Sequence, residues 1–177
     1  MALFAYRLFG AALLDAGVYE GIEADRSAMP QALATVVLSS VAAGIGAAGW
    51  QGPRPAVLLA VTAIALLTWA SWAMLMFQIG ARLLPGRDTQ TSLDELLRTI
   101  GFAAAPGLLQ VFAAFPRMTV PVFTLAWVWI FAATVTAVRQ ALDYHSTVRT
   151  LAVCGIAAAL AVALAFGLGV VFGPVLS

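Results

Sequence analysis

Hydrophobic residues along this 177-residue chain form long uninterrupted runs rather than the alternating pattern of a soluble fold. About 20 uncharged apolar residues predict a membrane-spanning helix, because about 30 Å of hydrocarbon is crossed at about 1.5 Å per residue. Five runs without a charged residue lie at positions 31–49, 56–80, 99–115, 120–138 and 151–176. The pattern therefore predicts an all-α polytopic membrane protein built as a bundle of five transmembrane helices.

The first 30 residues differ from these runs because charged side chains interrupt their apolar stretches. Five apolar residues fall roughly on one helical face: Leu3, Phe4, Leu14, Val18 and Ile22. Arg7 lies within that face, so the amphipathic pattern is imperfect. We predict a short interfacial helix in a cytoplasmic segment at 1–30 and the transmembrane domain at 31–176. For the acidic patch at 20–25, we favour a solvated leader over a docking site.

The distribution of arginine predicts the orientation of the chain. If alternate connections share one side with the N-terminus, seven arginines fall there: Arg7, Arg26, Arg82, Arg87, Arg98, Arg139 and Arg149. Arg54 and Arg117 fall on the opposite side. Basic residues are enriched in cytoplasmic loops. We therefore expect a multi-pass protein of the bacterial inner membrane with a cytoplasmic N-terminus and a periplasmic C-terminus.

Composition narrows the classes of function. The chain is 63% hydrophobic and 10% charged, which argues against a soluble domain and makes lipid the expected partner. A net charge of +1 gives no support for nucleic-acid binding. One Cys and one His predict neither an internal disulfide nor a zinc site. Because the five runs carry no charged residue and no His, we expect no enzyme activity, catalytic residue, metal or cofactor.

The third run contains the features that support an alternative function. Ser92 and Glu95 have the spacing of a capping box, so the helix is expected to begin outside the hydrocarbon. Pro106 removes one backbone donor and predicts a kink. Gln110 lies one turn further on, where its amide would satisfy a freed carbonyl or line a small cavity. The alternative is thus a small transporter, channel or lipid-scrambling module with a path near Pro106 and Gln110.

Two further groups of residues are candidates for contacts. Small side chains recur every four positions along the fifth run: Ala157, Ala161, Ala165, Gly169 and Gly173. Such a stripe permits close helix packing, within the monomer in preference to a homo-oligomer. A cytoplasmic face for lipids or a membrane-protein partner is predicted at Arg98, Arg139, Asp143, Tyr144 and Arg149. Within it, if the fourth helix continues past the interface, Arg139 and Asp143 stand one helical turn apart and can pair.

The segments at 93–107 and 128–150 carry a family resemblance. The first reads LDELLRTIGFAAAPG, and the second joins the fourth run to a basic connection. Over about residues 10–172 the chain resembles small bacterial members of the Yip-one domain family of Rab-interacting membrane proteins. The resemblance implies five membrane helices and a cytoplasmic N-terminus. In eukaryotic relatives it implies vesicle trafficking through Rab GTPases, a cycle that bacteria lack. We therefore expect a non-enzymatic membrane-organising or adaptor module that acts through its cytoplasmic face.

Overall fold

Every regular element that the structure describes is helical, as predicted. The computed structural model describes residues 2–49, 54–86, 89 and 91–176, with the backbone alone at 61, 161–162 and 164–176. Arg87 lies outside the described residues. The α-helices are α1 (Ala2–Ala12), α2 (Ala16–Ala24), α3 (Met29–Ala48), α4 (Pro55–Met76), α5 (Leu93–Phe102), α6 (Thr119–Ala141) and α7 (Thr147–Leu176).

Three tighter or wider helical segments join these elements. A short 3-10 turn, Arg26–Ala28, leads into α3. A π-helix, Phe77–Leu83, continues α4. A longer 3-10 helix, Ala105–Ala114, follows α5 and is called the central 3-10 helix below.

Four helical stretches in the described part are long and apolar enough to cross a membrane. They are Arg26–Ala48, Pro55–Leu83, Leu93–Ala114 and Thr119–Ala141, called the first to fourth crossings below. Each overlaps one of the first four predicted runs, and the first and third runs extend one residue beyond the corresponding crossing. In α7, the apolar stretch with described side chains, Thr147–Leu160, is shorter than a crossing needs. The fifth predicted crossing therefore stays a prediction.

Consecutive crossings alternate in direction. The Ser40 hydroxyl lies 3.2 Å from that of Thr62, and Gly44 packs on Leu58, so α3 and α4 are antiparallel. Gly101 packs on Ala32 and Gly107 packs on Ser39, so the third crossing runs parallel to α3. One end of the bundle consequently gathers several arginines: Arg26, Arg82, Arg98, Arg139 and Arg149. We call it the arginine-rich end.

Close backbone contact places the third crossing at the centre of the bundle. A Cβ atom on Gly46 of α3 would lie 2.0 Å from the Gln110 carbonyl oxygen. A Cβ atom on Gly107 would lie 1.9 Å from the Ser39 hydroxyl. Glycine is therefore required at both positions for the helices to approach this closely, a common device where helices pack in membranes.

The third crossing is not one kinked α-helix. The predicted capping box is confirmed, since Ser92 N donates to Glu95 Oε2 (2.7 Å) and Glu95 N donates to Ser92 Oγ (3.3 Å). After α5 ends at Phe102, the chain turns and continues as the central 3-10 helix. Pro106 occupies the first turn of this helix, where its missing N–H leaves no internal bond unmade. The proline thus marks a change of helix type.

The N-terminal segment is a pair of helices packed on the bundle, not a solvated leader. Leu14, with φ of 62°, turns the chain between α1 and α2. Tyr19 and Ile22 are fully buried and belong to one apolar cluster with Phe102 and Ala133. The small side chains of α6 leave room for these larger residues, which explains why α2 lies against the crossings rather than in solvent.

Candidate functional site

A cleft of about 530 Å³ opens at the arginine-rich end, between α2 and the connection from α6 to α7. It combines carboxylates with basic and amide groups, which is the composition of a polar recognition site. Its lining residues are Glu20, Glu23, Arg139, Gln140, Asp143, Tyr144 and His145. We call this the polar cleft.

Two structural elements position the acidic groups of the polar cleft. Glu20 and Glu23 are three residues apart on α2 and therefore share a face of that helix. Gln140 Nε2 donates to Glu20 Oε1 at 3.3 Å, which ties α2 to the end of α6. Asp143 lies two residues after the end of α6. Its φ of 51° is a left-handed conformation that Asp tolerates well.

Glu23 occupies an environment that disfavours its charged form. Burial and, after it, the carboxylates of Asp143, Glu95 and Glu20 raise the pKa of Glu23 to about 7. The nearby Arg98 guanidinium opposes this rise only in part. Loss of hydration is the largest cause and repulsion by the neighbouring carboxylates adds to it, so an added cation would stabilise the charged form of Glu23.

Arg98 serves the interior of the protein beneath the polar cleft. The residue is 4% exposed, and its Nη2 donates to the Glu23 carbonyl oxygen at 2.5 Å. This bond satisfies a carbonyl at the C-terminal end of α2, where helices leave such groups unpaired. Arg98 Nε is buried without a hydrogen-bond partner. The Arg98 side chain thus fixes α2 to α5 and places a positive charge near the Glu23 carboxyl group.

Tyr144 and Arg149 close the end of the π-helix. The Tyr144 hydroxyl lies 2.8 Å from the Gly80 carbonyl oxygen and 2.6 Å from that of Leu84. Arg149 Nη2 donates to the Leu84 carbonyl oxygen at 3.1 Å and to that of Pro85, and its guanidinium lies 5.2 Å from the Tyr144 ring centre. Burial raises the pKa of Tyr144. The phenol therefore remains a neutral donor that holds the second crossing to the α6–α7 connection.

The structure divides the five residues predicted to form a cytoplasmic face. Arg139 and Asp143 are exposed in the polar cleft, whereas Arg98 and Tyr144 are buried. Arg149 is exposed but binds backbone carbonyls. The ion pair that the spacing of Arg139 and Asp143 allows is not formed: among the described residues the ion pair joins Arg7 to Asp25, and Arg139 Nε donates to the Tyr144 carbonyl oxygen at 3.2 Å. The helix ends at Ala141, and the left-handed turn at Asp143 removes the regular spacing that pairing requires.

Sequence reasoning did not assign four members of the polar cleft to a common site: Glu20, Glu23, Gln140 and His145. Glu20 and Gln140 are 120 residues apart in sequence, so helical spacing carries no information on their contact. The three-residue interval between Glu20 and Glu23 was the available signal, because it places both carboxylates on one face of α2.

Pro106 and Gln110 are both buried within the central 3-10 helix. A second, apolar cavity of about 250 Å³ lies toward the other end of the bundle, against Ile45, Val111 and Phe112. Neither this cavity nor the polar cleft is lined by Pro106 or Gln110. A path near these two residues stays a prediction from sequence.

The small-residue stripe lies on α7. Ala157 is fully buried in a cluster with residues of α4, α5 and α6. The side chains of Ala161, Ala165, Gly169 and Gly173 lie outside the part that the structure describes. At Ala157 the stripe packs inside the monomer.

Comparison with other proteins leaves the assignment of function to the geometry. Within the described residues, no three His, Cys, Asp or Glu side chains are grouped so as to hold a metal ion. No family model, curated protein or solved structure matches the chain.

Proposed function

We propose that this chain is a five-span inner-membrane protein of the Yip-one type, a non-enzymatic adaptor whose polar cleft binds a basic segment of a membrane-protein partner. The observation that carries the proposal is the lining of the open cleft at the arginine-rich end, where three carboxylic residues, Glu20, Glu23 and Asp143, accompany one arginine, Arg139. An Arg or Lys side chain entering the cleft would offset that excess and favour the ionised form of Glu23.

The fifth crossing is supported by the length and position of α7. The helix contains 30 residues, which at 1.5 Å per residue gives about 45 Å, more than the thickness of the hydrocarbon. It begins at the arginine-rich end, next to the end of α6, and Arg149 lies in its first turn. A crossing from there would place the C-terminus on the side opposite the arginines. Under the positive-inside rule the arginine-rich end faces the cytoplasm.

A binding role for the polar cleft is favoured by the different contacts of the charged residues in the cleft and around it. Arg98 and Arg149 bind backbone carbonyl oxygens and so act in the fold. Glu20 and Asp143 are exposed. A charge that is exposed in a concave site is available to an incoming group, and long-range attraction between opposite charges accelerates docking.

In-cell photocrosslinking tests the proposal. A photoreactive phenylalanine at Gln140 lines the polar cleft, and one at Leu67 in the middle of α4 serves as the lipid-facing comparison. We expect the probe at Gln140 to capture one recurrent protein through a segment rich in Arg or Lys. We expect the probe at Leu67 not to capture that protein.

A charge-neutralising pair of variants distinguishes binding by the cleft from chance proximity. Asp143→Asn removes one carboxylate while keeping a residue that tolerates the left-handed turn. Asp94→Asn removes an exposed carboxylate on the first turn of α5, outside the cleft lining. Capture should fall in the first variant and persist in the second. Capture of lipid alone, of nothing, or of the same protein at equal yield in Asp143→Asn would contradict the proposal.

A further inference from the structure

Helix α1 exposes apolar side chains and buries its charged one, which is the reverse of what is expected for a helix in water. Its large apolar side chains point outward: Leu3, Tyr6, Phe9 and Leu13, the last just after the helix, are 53%, 62%, 67% and 74% exposed. Its single charged residue, Arg7, points inward and is 7% exposed. Arg7 Nη2 contacts Asp25 Oδ2 at 2.5 Å, and Nη1 donates to Gln31 Oε1 at 3.1 Å. Inward charge and outward apolar groups characterise helices in lipid.

A contact with α6 shows how far the N-terminal helices reach along the bundle. Trp129 Nε1 donates to the Ala12 carbonyl oxygen at 2.7 Å. Trp129 lies 12 residues before Ala141, the last residue of α6. This interval is about 18 Å along the helix axis. The end of α1 therefore contacts the middle of the fourth crossing, far from the arginine-rich end.

The turn between α1 and α2 pairs several of its backbone N–H groups within the hairpin. The backbone N–H groups of Leu13, Leu14 and Asp15 donate to carbonyl oxygens of α1 at 2.9, 3.1 and 3.0 Å. The Tyr19 hydroxyl donates to the Ala11 carbonyl oxygen at 3.2 Å. Asp15 is exposed, and its carboxylate accepts from the backbone amides of Gly17 and Val18 at 2.9 and 3.3 Å. Irregular backbone is tolerated at membrane depth only when its groups are satisfied internally.

We infer that α1, the turn and α2 form a re-entrant helical hairpin embedded in the leaflet at the arginine-rich end, with the outer face of α1 in contact with acyl chains. Acyl chains are the occupant because exposed apolar residues of α6, including Val128 and Phe131, make the same membrane-crossing helix lipid-facing near the depth of Trp129. This placement is deeper than an interfacial helix lying at the membrane surface. The hairpin adds volume to one leaflet without crossing the other.

Spin-label accessibility measures this placement. The single Cys154 is replaced in a Cys154→Ala background, and nitroxides are attached one at a time to Cys at Phe9, Val128 and Asp94. The protein is studied in phosphatidylethanolamine–phosphatidylglycerol liposomes. We expect Phe9 to match Val128, with collisions with an aqueous nickel complex about tenfold fewer than at Asp94, because the hydrocarbon excludes water.

Two results would overturn the inference. Nickel accessibility at Phe9 equal to that at Asp94 would place α1 in water or at the surface. Low accessibility to both nickel complex and oxygen would mean that a protein covers the face. Val128 provides the lipid-facing reference for both readings.

A pair of glycine variants links the depth of α1 to closure of the hairpin. A Cβ atom on Gly10 would lie 2.5 Å from Val18 Cγ2, whereas one on Gly21 would meet nothing within 4 Å. Gly10→Leu should push α1 from α2 and raise the nickel accessibility at Phe9. Gly21→Leu should leave it unchanged. An unchanged Phe9 signal in both folded variants would show that depth does not depend on the hairpin and would contradict this part of the inference.

Discussion

The second and third crossings differ both in apolar character and in surroundings. In the most apolar 18-residue window of the third crossing, Leu93–Ala114, 67% of residues are buried, against 6% for the second, Pro55–Leu83. The second has the highest mean hydropathy of the four crossings and the third the lowest. Lipid tails are as apolar as leucine side chains, so a lipid-facing helix must be apolar all round. A helix enclosed by protein can use small and polar residues. High hydropathy thus reports lipid contact, and moderate hydropathy reports the centre of the bundle.

The two crossings also differ in how they are held. Residues of the third crossing contact α3 through glycine, so the helix is fixed along much of its length. The second crossing has one strong anchor at its end, where Tyr144 and Arg149 bind carbonyl oxygens of Gly80, Leu84 and Pro85. Substitutions along the two crossings are therefore expected to have unequal effects on stability.

The largest effect is expected where α3 meets the central 3-10 helix. Gly46→Leu places a side chain against the Gln110 carbonyl oxygen, an atom that cannot move without displacing the helix. We expect a loss of more than about 3 kcal/mol in the free energy of unfolding in detergent micelles. Gly155→Leu is the control because a Cβ atom there meets nothing within 4 Å. Equal unfolding temperatures in the two variants would contradict the central position of the third crossing.

A leucine in each crossing gives the most direct comparison of the two. Leu96 in the third crossing is fully buried, whereas Leu67 in the second is 69% exposed. Leu96→Ala should destabilise the protein by about 2 kcal/mol, because it leaves a cavity in the packed core. Leu67→Ala exchanges protein surface for lipid and should change stability by less than about 0.5 kcal/mol. Chemical unfolding in mixed micelles measures the stability of both variants. A larger loss in Leu67→Ala than in Leu96→Ala would contradict the assignment of the third crossing to the core and of the second to lipid.

The anchor of the second crossing predicts a smaller effect. Tyr144→Phe removes the hydroxyl that binds the Gly80 and Leu84 carbonyl oxygens and should cost about 1 kcal/mol. Tyr6→Phe alters a hydroxyl on the exposed face of α1 and is the matched control. Limited proteolysis of the α4–α5 connection should accelerate in the first variant alone. Unchanged cleavage in Tyr144→Phe would mean that the connection is held by other contacts.

A further effect concerns pH and lies outside both crossings. Glu23 has a raised folded pKa of about 7 compared with an ordinary value of 4.5. The folded state thus binds its proton more tightly than the unfolded state, so this contribution to stability is present below pH 4.5 and is lost as pH rises through 7. Glu23→Gln should remove that loss. The stability of the variant relative to the unsubstituted protein should therefore be higher at pH 8 than at pH 4. Thermal unfolding across this range measures the difference; a constant offset would contradict the raised pKa.

Features set by neighbours in sequence were predictable. The capping box at Ser92 and Glu95 depends on three-residue spacing, and the four described crossings depend on uncharged length. The partners of Arg7 and Trp129 were not predictable in the same way. Arg7 interrupts an apolar face in the sequence, but folding turns it toward Asp25 and leaves the apolar side chains outside. Trp129 bonds to Ala12 across 117 residues, a contact that no local pattern encodes.

The candidate site shows the same limit. Asp143 and Arg139 were recognised as a charged connection, but helix termination at Ala141 directs them differently from an ideal helix. Glu23 and Arg98 are 75 residues apart, and their contact depends on α2 packing against the bundle. The charges were readable from the sequence, whereas their common cleft depended on the tertiary arrangement.

Labelling with a lipid-soluble photoactivatable diazirine tests the contrast between the two crossings most directly, since it requires no substitution. The reagent partitions into the bilayer, and mass spectrometry locates the residues it modifies. The account predicts frequent modification along Pro55–Leu83, including Leu59, Ile64 and Leu67, and sparse modification of Leu93–Ala114 apart from the exposed Val111 and Phe112. Equal labelling along both crossings would contradict it.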